Sequence, residues 1–583
     1  MSETGRHNPW RVLRSHPVPV AIILLSLFVH GLQASALGLY WDDAPQLIQG
    51  LHALEHQALA FILSDTGAAL RSERPLAYLA FGITRAAFLH SVAAVHWVLV
   101  ALLTVDALAI AAVARCLVDE DWFAFAAAAV FLCYPLAPLQ PVWAATVHYH
   151  VACLLTLTSI LCLVRGLTGP VAYRRGWTSV GFGAYLAGIA THEGLALVPP
   201  AFFVARWLCT LGPGAQTGGH AEPEERRRIG FRLLGFTGIL ALFGVWRLAI
   251  LPKYGQQLYP IPRDRLSASV LLPKFWHGAV DAALPWRNAV VYLLRSRLTG
   301  HWLLAAAAAA AVAAGVASLA LLRRGQPTDG RWACALASGV AMLGAGVAAL
   351  SLSPINIEYA LGPSYGSRGN FVAMPGIAIG LPALLALFGL PWRRFSVTVA
   401  HLVPSTALAC VVFVGSLVHF SVKKEFVREW EGQKARLTTL LALAPCIADS
   451  TLVVILDDRD RRAPYEDHYE MSIYLLVLYD NWSLFGNTTP HLRFYRDGVE
   501  STYPGWWFGP GERGVYATAT LRPVGRISYD RVLLFANDHG RLRAVGDTVV
   551  TGEDGRELRM RSNVSRICAR PPASTHTWRH LTR

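Results

Sequence analysis

"PVPVAIILLSLFVHGLQASALGLYWDDAPQL", residues 17–47, joins about twenty apolar residues to two adjacent carboxylates, Asp42 and Asp43. A helix needs roughly 20 apolar residues to cross the hydrocarbon core of a bilayer, so the first part is long enough to span. Tyr40 and Trp41 precede the acids and Pro45 follows them. A competing reading is a secretory signal peptide, because basic residues come before the apolar run and Ala34-x-Ala36 resembles a cleavage site. The length of the run, and the many similar runs behind it, favour a retained span.

Those further runs set the fold class. Hydrophobic residues make up 54% of the 583 and charged residues 15%, against the roughly 25% charge of an ordinary globular chain. Mean hydropathy is +0.38. Eleven spans are predicted, at about 17–39, 92–114, 123–139, 150–167, 177–191, 194–208, 232–251, 301–322, 332–352, 370–390 and 396–420. The alanine-rich "LLAAAAAAAVAAG" at 303–315 is one of them, and no solenoid-length repeat is visible. Lys and Arg concentrate in cytoplasmic loops of membrane proteins, and acids contribute little to that bias. Arg6, Arg11 and Arg14 therefore place the N-terminus in the cytoplasm. Alternation then brings Arg174 and Arg175, the triplet 226–228, Arg323 and Arg324, and Arg393 and Arg394 to the same side; only the acidic loop 119–122 departs. The net charge of +14 is accordingly a topology signal and does not imply nucleic acid. Many Ala, Arg and Gly with few Lys suggest a bacterial plasma membrane.

The segment "RPLAYLAFGITRAAFLH", 74–90, is short and interrupted by Arg85, so it reads as a helix lying in the interface. Counting it as a span would invert every later basic loop. The outer face then receives loop 40–91, 140–149, the turn 191–193, loops 252–300 and 353–369, and everything after 420. Two domains are expected: a membrane domain over 1–420 and a small extracytoplasmic α/β domain over 421–583. In the latter "KKEFVREWEGQKARLTTLLALAP" has helical spacing, while "TLVVILDD", "GVYATATLRPVG" and "RVLLFANDHGRLRAV" read as strands. Seven of the nine cysteines lie in or beside predicted spans, leaving Cys446 and Cys568 in the tail. An oxidising compartment would allow them to pair; two unpaired thiols are the alternative.

The outer face gathers Asp42, Asp43, Glu73, Arg74, His148, His150, Glu193, Lys253, Tyr365 and Arg368. Outer loops always carry some polar residues, which is the plain reading for any one of these. Glu193 departs from it most, because "GIATHEGLALVPP" breaks two apolar stretches with a carboxylate that is costly unless it faces a cavity or partner. His148 and His150 form H-x-H, but on a helix they face different ways and no further metal ligands accompany them. Trp41, Trp143 and Trp286 read as interface-belt aromatics, with Trp143, near the expected cleft, also placed to stack on a ligand. Tyr40 and Trp41 are expected to fix the depth of the acids at the headgroup level, and Pro45 to open a surface helix.

Taken in order, "YWDDAPQL", "RPLAYLAFGI", "YPLAPLQPVWAATVHYH" and "ATHEGLALVPP" resemble the GT-C membrane glycosyltransferases. The nearest kin in motif are protein O-mannosyltransferases, lipid A aminoarabinose transferases and tetratricopeptide-linked mannosyltransferases. The motifs cover about 15–210, and topology alone extends the likeness to 420. Where many members have Lys-Glu in a mid-chain helix, this chain has His192-Glu193. The resemblance implies a polyprenyl-phosphate-sugar donor and a protein, lipid or glycan acceptor; it fixes no cofactor, and because some membrane glycosyltransferases with acidic loops use a divalent cation, the acidic pair leaves one open. A poorly nucleophilic hydroxyl needs a general base, which Asp42 and Asp43 would supply, with Asp43 the first choice. The leaving phosphate needs cations, a role suited to arginine; Arg368 is the leading candidate, with Arg74 and Lys253 behind it. An outward-facing cleft is expected where the first span meets the interfacial helix and the loops 191–193 and 353–369. A transporter or flippase of a lipid-linked solute, or a non-catalytic membrane scaffold, would fit the hydropathy too. No inverted repeat and no midplane crowding of charge favour transport.

Overall fold

In the computed structural model, the described residues are 17–40, 43, 47, 74–88, 91–211, 223–250, 267–296, 298–322, 329–352, 365–394, 396–457, 474–475, 478–479, 484–488, 492–495, 498–501, 531–538, 541–546, 548–551, 557–560 and 562–568. Their helices are α1 (Pro17–Ser26, continued by a π turn Leu27–Gly31), α2 (Ala77–Phe88), α3 (Val92–Leu117), α4 (Asp121–Cys133), α5 (Val147–Thr168), α6 (Val171–Thr191) and α7 (Val198–Cys209). They continue with α8 (Pro223–Val245), α9 (Ala268–Ala283), α10 (Trp286–Arg295), α11 (Gly300–Leu322), α12 (Asp329–Ser351), α13 (Met374–Gly389) and α14 (Val397–Leu443). Eight helical segments among the described residues are long and apolar enough to cross a membrane. The protein is thus a multi-pass integral membrane protein with a small C-terminal sheet region.

Each of the eleven expected spans meets a helix, but three of those helices fall outside the eight. α4 and α7 have 13 and 12 residues, about 18–20 Å at 1.5 Å per residue, short of the ~30 Å hydrocarbon core. α6 has 21 residues but carries Arg174 and Arg175 close to its start. The expected span 123–139 ends early, at Cys133. Pro135, Pro138 and Pro141 remove donors and push their predecessors out of helical geometry. Residues 134–143 are nonetheless buried throughout, as irregular backbone at membrane depth must be. α4 itself is apolar all round and no residue from Trp122 to Cys133 is more than 3% exposed. Such a helix belongs at the axis of a bundle, and α1, α3, α11, α13 and α14 pack around it.

Lipid tails are as apolar as leucine, so helices here associate through close packing. A Cβ at Gly376 of α13 would stand 2.2 Å from the backbone nitrogen of Leu343 in α12, so the two helices touch backbone to backbone. Apolar side chains on the outside, such as Phe231, Leu234 and Leu242 of α8, are exposed as lipid-facing residues would be.

The last helix does not stop where the membrane domain was expected to end. α14 runs for 47 residues with Pro404 inside it, about 70 Å, so residues 420 and 421 belong to one helix. Beyond it lie β1 (Leu452–Asp457), β2 (Phe485–Thr488), β3 (Leu492–Tyr495), β4 (Gly498–Ser501), β5 (Val532–Asp538), β6 (Arg541–Val545), β7 (Thr548–Thr551) and β8 (Glu557–Met560). One sheet has the order β2-β1-β5-β6, with β1 parallel to β2 and β5, and β5–β6 an antiparallel pair. The strands expected at 451–458 and 531–545 are β1 and the pair β5–β6; the one expected at 514–525 lies outside the described residues. Cys446 and Cys568 form a disulfide with Cα atoms 5.1 Å apart. Beside it, Ile447 bridges Ile567 and the Cys568 amide donates to the Cys446 carbonyl at 3.1 Å.

Candidate functional site

The described apolar residues on either side of the acidic pair do not pack on the membrane bundle's own core. Leu37, Leu39, Tyr40 and Leu47 belong to a second apolar cluster, shared with Phe426 and Trp430 of α14 and with Val453, Leu533 and Phe535 of the sheet. Tyr40 is 4% exposed and so is no headgroup anchor. Its hydroxyl donates to the Phe426 carbonyl (2.9 Å) and accepts from the Gly38 amide (2.9 Å). Burial pushes this phenol well above its usual range, so the proton it donates stays on.

Asp43 is fully buried. Its Oδ1 accepts from the Ala145 amide at 2.8 Å, and its Oδ2 accepts from the amides of Tyr40 (3.1 Å) and Ala144 (3.2 Å). Ala144–Thr146 is the 3₁₀ turn that leads into α5, and orphan amides at a helix start are natural anion partners. The carboxylate therefore ties the acidic segment to the start of α5. His148, one turn on, places Nδ1 2.8 Å from the Ala145 carbonyl.

From His148 the contacts lead to a second cluster. Its ring lies 5.4 Å from His192, 4.5 Å from Tyr149 and 5.2 Å from Phe81, and Tyr149 lies 4.1 Å from His192. His192 ends α6, and its Nδ1 accepts from the Gly194 amide at 3.1 Å. Glu193, beside it, is gripped by Arg74 in a two-pronged pair, Nε to Oε2 at 2.7 Å and Nη2 to Oε1 at 3.0 Å. Arg74 opens the lead into α2, where Pro75 fixes the backbone and the Leu76 amide donates to the Ala190 carbonyl at 3.0 Å. Both charged side chains remain about a quarter exposed, at 27% and 28%. Burial pushes the Glu193 carboxyl up, but Arg74, His192 and Arg247 outweigh it and hold the group well below the ordinary carboxylate range. A carboxyl so acidic is a weak base, suited to holding an arginine in place.

His148 and His150 diverge, as helix geometry requires for i and i+2. His150 is fully buried, with Nδ1 2.8 Å from Asp106 Oδ2 and its ring 5.0 Å from Phe371. Trp143 is fully buried as well, so it is neither a belt residue nor a sugar platform, while half-buried Trp286 packs against Tyr134. Among the described residues no group of three metal-ligating side chains forms. Tyr365 and Arg368 fall in the 3₁₀ segment Tyr365–Ala373, which reaches the cluster through Phe371 and Val372, the latter close against Gly194. Trp41, Asp42, Pro45, Glu73 and Lys253 lie outside the described residues.

Sequence reasoning missed Asp106, Arg247 and Lys423. Asp106 and Arg247 are lone ionisable residues inside expected spans, and such residues are functional candidates by cost alone, so searching every span and not only the loops would have found those two. Lys423 opens the charged stretch that follows the last expected span, and nothing local sets it apart there.

No family model and no curated protein matches the chain. Among solved structures it is similar to ArnT from Cupriavidus metallidurans bound to undecaprenyl phosphate, at a TM-score of 0.34 and 14% identity over 80% of this chain and 85% of that one. The apo state of the same protein gives a TM-score of 0.32 and 15% identity over 80% and 84%.

Proposed function

We propose that this protein is a GT-C type glycosyltransferase that moves a sugar from a polyprenyl-phosphate donor to an acceptor hydroxyl. The carrying observation is the contact path from Asp43, through the 144–148 turn and His192, to the Arg74–Glu193 pair. That path joins a base-bearing segment to an oriented cation, the two elements such a transfer needs. The base takes the proton of the acceptor hydroxyl, the oxygen bonds to the anomeric carbon, and the bond from that carbon to the phosphate oxygen breaks. The phosphate leaves with the electron pair and is met by cations. Arg74, oriented by Glu193, is assigned to the phosphate, with Arg247 and Arg368 as further cations.

Asp43 already accepts three backbone amides and is fully buried. We therefore assign the base to Asp42 and treat Asp43 as its anchor, reversing the preference drawn from sequence. Lys253, Glu73, His148 and Tyr365 remain assigned to the substrate-binding surroundings, and His150 to support from below. The proposed topology puts the N-terminus in the cytoplasm and the sheet region outside a plasma membrane, where a disulfide such as Cys446–Cys568 persists.

Binding of undecaprenyl phosphate and of undecaprenol to the purified full chain tests the assignment. The phosphate should be preferred, and Arg74→Met should abolish the preference. Equal binding of the two lipids by the unaltered protein would remove the phosphate site and the reading with it.

A further inference from the structure

One face of α14 lies against residues 29–40, the stretch that leads to Asp43. Lys423 is fully buried, and its Nζ donates to the carbonyls of Val29, His30 (3.4 Å) and Leu32 (3.0 Å). These carbonyls lie at the C-terminal end of the first span, where the π turn Leu27–Gly31 stops and Gln33 takes a left-handed φ of 73°. Carbonyls at a helix end lack intrahelical donors and carry the negative pole of the dipole, so an ammonium satisfies both needs.

Three residues along α14, the Phe426 carbonyl accepts from Tyr40 and the two rings pack edge to face at 4.7 Å. Four further on, the Trp430 indole covers Gly38 so closely that a Cβ there would lie 1.9 Å from Cδ2. Residues at i, i+3 and i+7 share one helix face. Residues 29–40 are thus laid along one stripe of a rod that continues into the sheet domain. That domain adds Tyr474, whose hydroxyl donates to the Leu39 carbonyl at 3.4 Å.

We propose that α14 and the C-terminal sheet domain are the positioning element of the backbone 29–40 that leads to Asp43, with Lys423, Trp430 and Tyr474 as positioning residues. Lys423 fixes where the first span ends, Trp430 fixes the backbone at Gly38, and Tyr474 holds the next carbonyl. Asp43 follows three residues after Tyr40, so the rod sets the depth of the backbone that leads to it. The importance of that position for transfer rests on the function proposed above; the clamp itself does not.

Amide hydrogen exchange on the full chain in nanodiscs tests the clamp without any turnover assay. Trp430→Ala should raise exchange in peptides covering 36–47 by about tenfold or more while leaving 17–28 unchanged. Equal protection of 36–47 in both proteins, or equal loosening of both segments, would overturn the proposal. Should Trp430→Ala fail to fold, Tyr40→Phe deletes one oxygen of the same clamp and is read in the same way.

A rescue pair separates positioning from mere packing. Trp430→Ala should lower kcat about tenfold with KM for the lipid-linked sugar held, and the conservative Trp430→Phe, which leaves a ring over Gly38, should keep most of it. Turnover of Trp430→Phe no better than that of Trp430→Ala would refute the role of Trp430. An unaltered protein that transfers no sugar would refute the function, while the exchange experiment still decides the clamp.

Discussion

Replacing Asp43 by asparagine removes charge and also sets a donor where an acceptor is required. The carboxylate meets three amides, with Oδ1 on Ala145 and Oδ2 on Tyr40 and Ala144. An asparagine has one carbonyl oxygen. With that oxygen at the Oδ2 position, the Ala145 amide faces an NH2 group; turned over, two amides do. A buried donor left without a partner costs about 1–3 kcal/mol, and bonds to a charged acceptor are the stronger kind, so Asp43→Asn should destabilise by about 2–4 kcal/mol. The loss should appear as a lower melting temperature of the detergent-purified protein, with turnover falling alongside it. Asp42→Asn, by contrast, should melt with the unaltered protein while sugar transfer falls about 10²–10⁴-fold, the range for loss of a general base. Unchanged melting of Asp43→Asn would show that the carboxylate is not an anchor. Normal transfer by Asp42→Asn would return the base to Asp43 or remove it from the segment.

Glu193→Gln should loosen Arg74 and weaken undecaprenyl phosphate binding. In the unaltered protein the depressed Glu193 pKa means that the pair's contribution is present above the ordinary carboxylate value near 4.3 and is lost only as pH falls well below it. Glu193 should therefore stay ionised from pH 7 to pH 5, read as the infrared carboxylate band lost in Glu193→Gln; a titration midpoint of that band inside the window would contradict the depressed pKa. Denatured without reductant, the chain should alkylate at seven of its nine cysteines. Serine at both Cys446 and Cys568 should cost about 5 kcal/mol in the chain-entropy model, and nine reactive thiols would remove the bond. Gly376→Val should reduce the yield of folded protein, since its side chain meets the Leu343 backbone; a normal yield would refute the close α12–α13 packing. Reporter fusions at Gly432 and Gly325 should give opposite compartments, and matching signals would break the topology.

Hydropathy determined the membrane class, because twenty apolar residues in a row have no other low-energy home, and helices formed near every expected span. The two strand patterns of the described tail were legible for a similar reason, since short β-branched runs bounded by polar turns need no distant information. What the sequence could not determine was partnership. Arg74 and Glu193 are 119 residues apart, Asp43 and Ala145 are 102, and Lys423 and Val29 are 394. No local periodicity encodes a pair at such separation; it arises when helices pack and leave one geometry in which buried charges are satisfied. Tyr40 shows the same limit, because an aromatic at the end of a span reads as a headgroup anchor until the packing of α14 decides that it is buried. Sequence determined which residues could be costly in a membrane, and only the tertiary structure decided what each of them is held by.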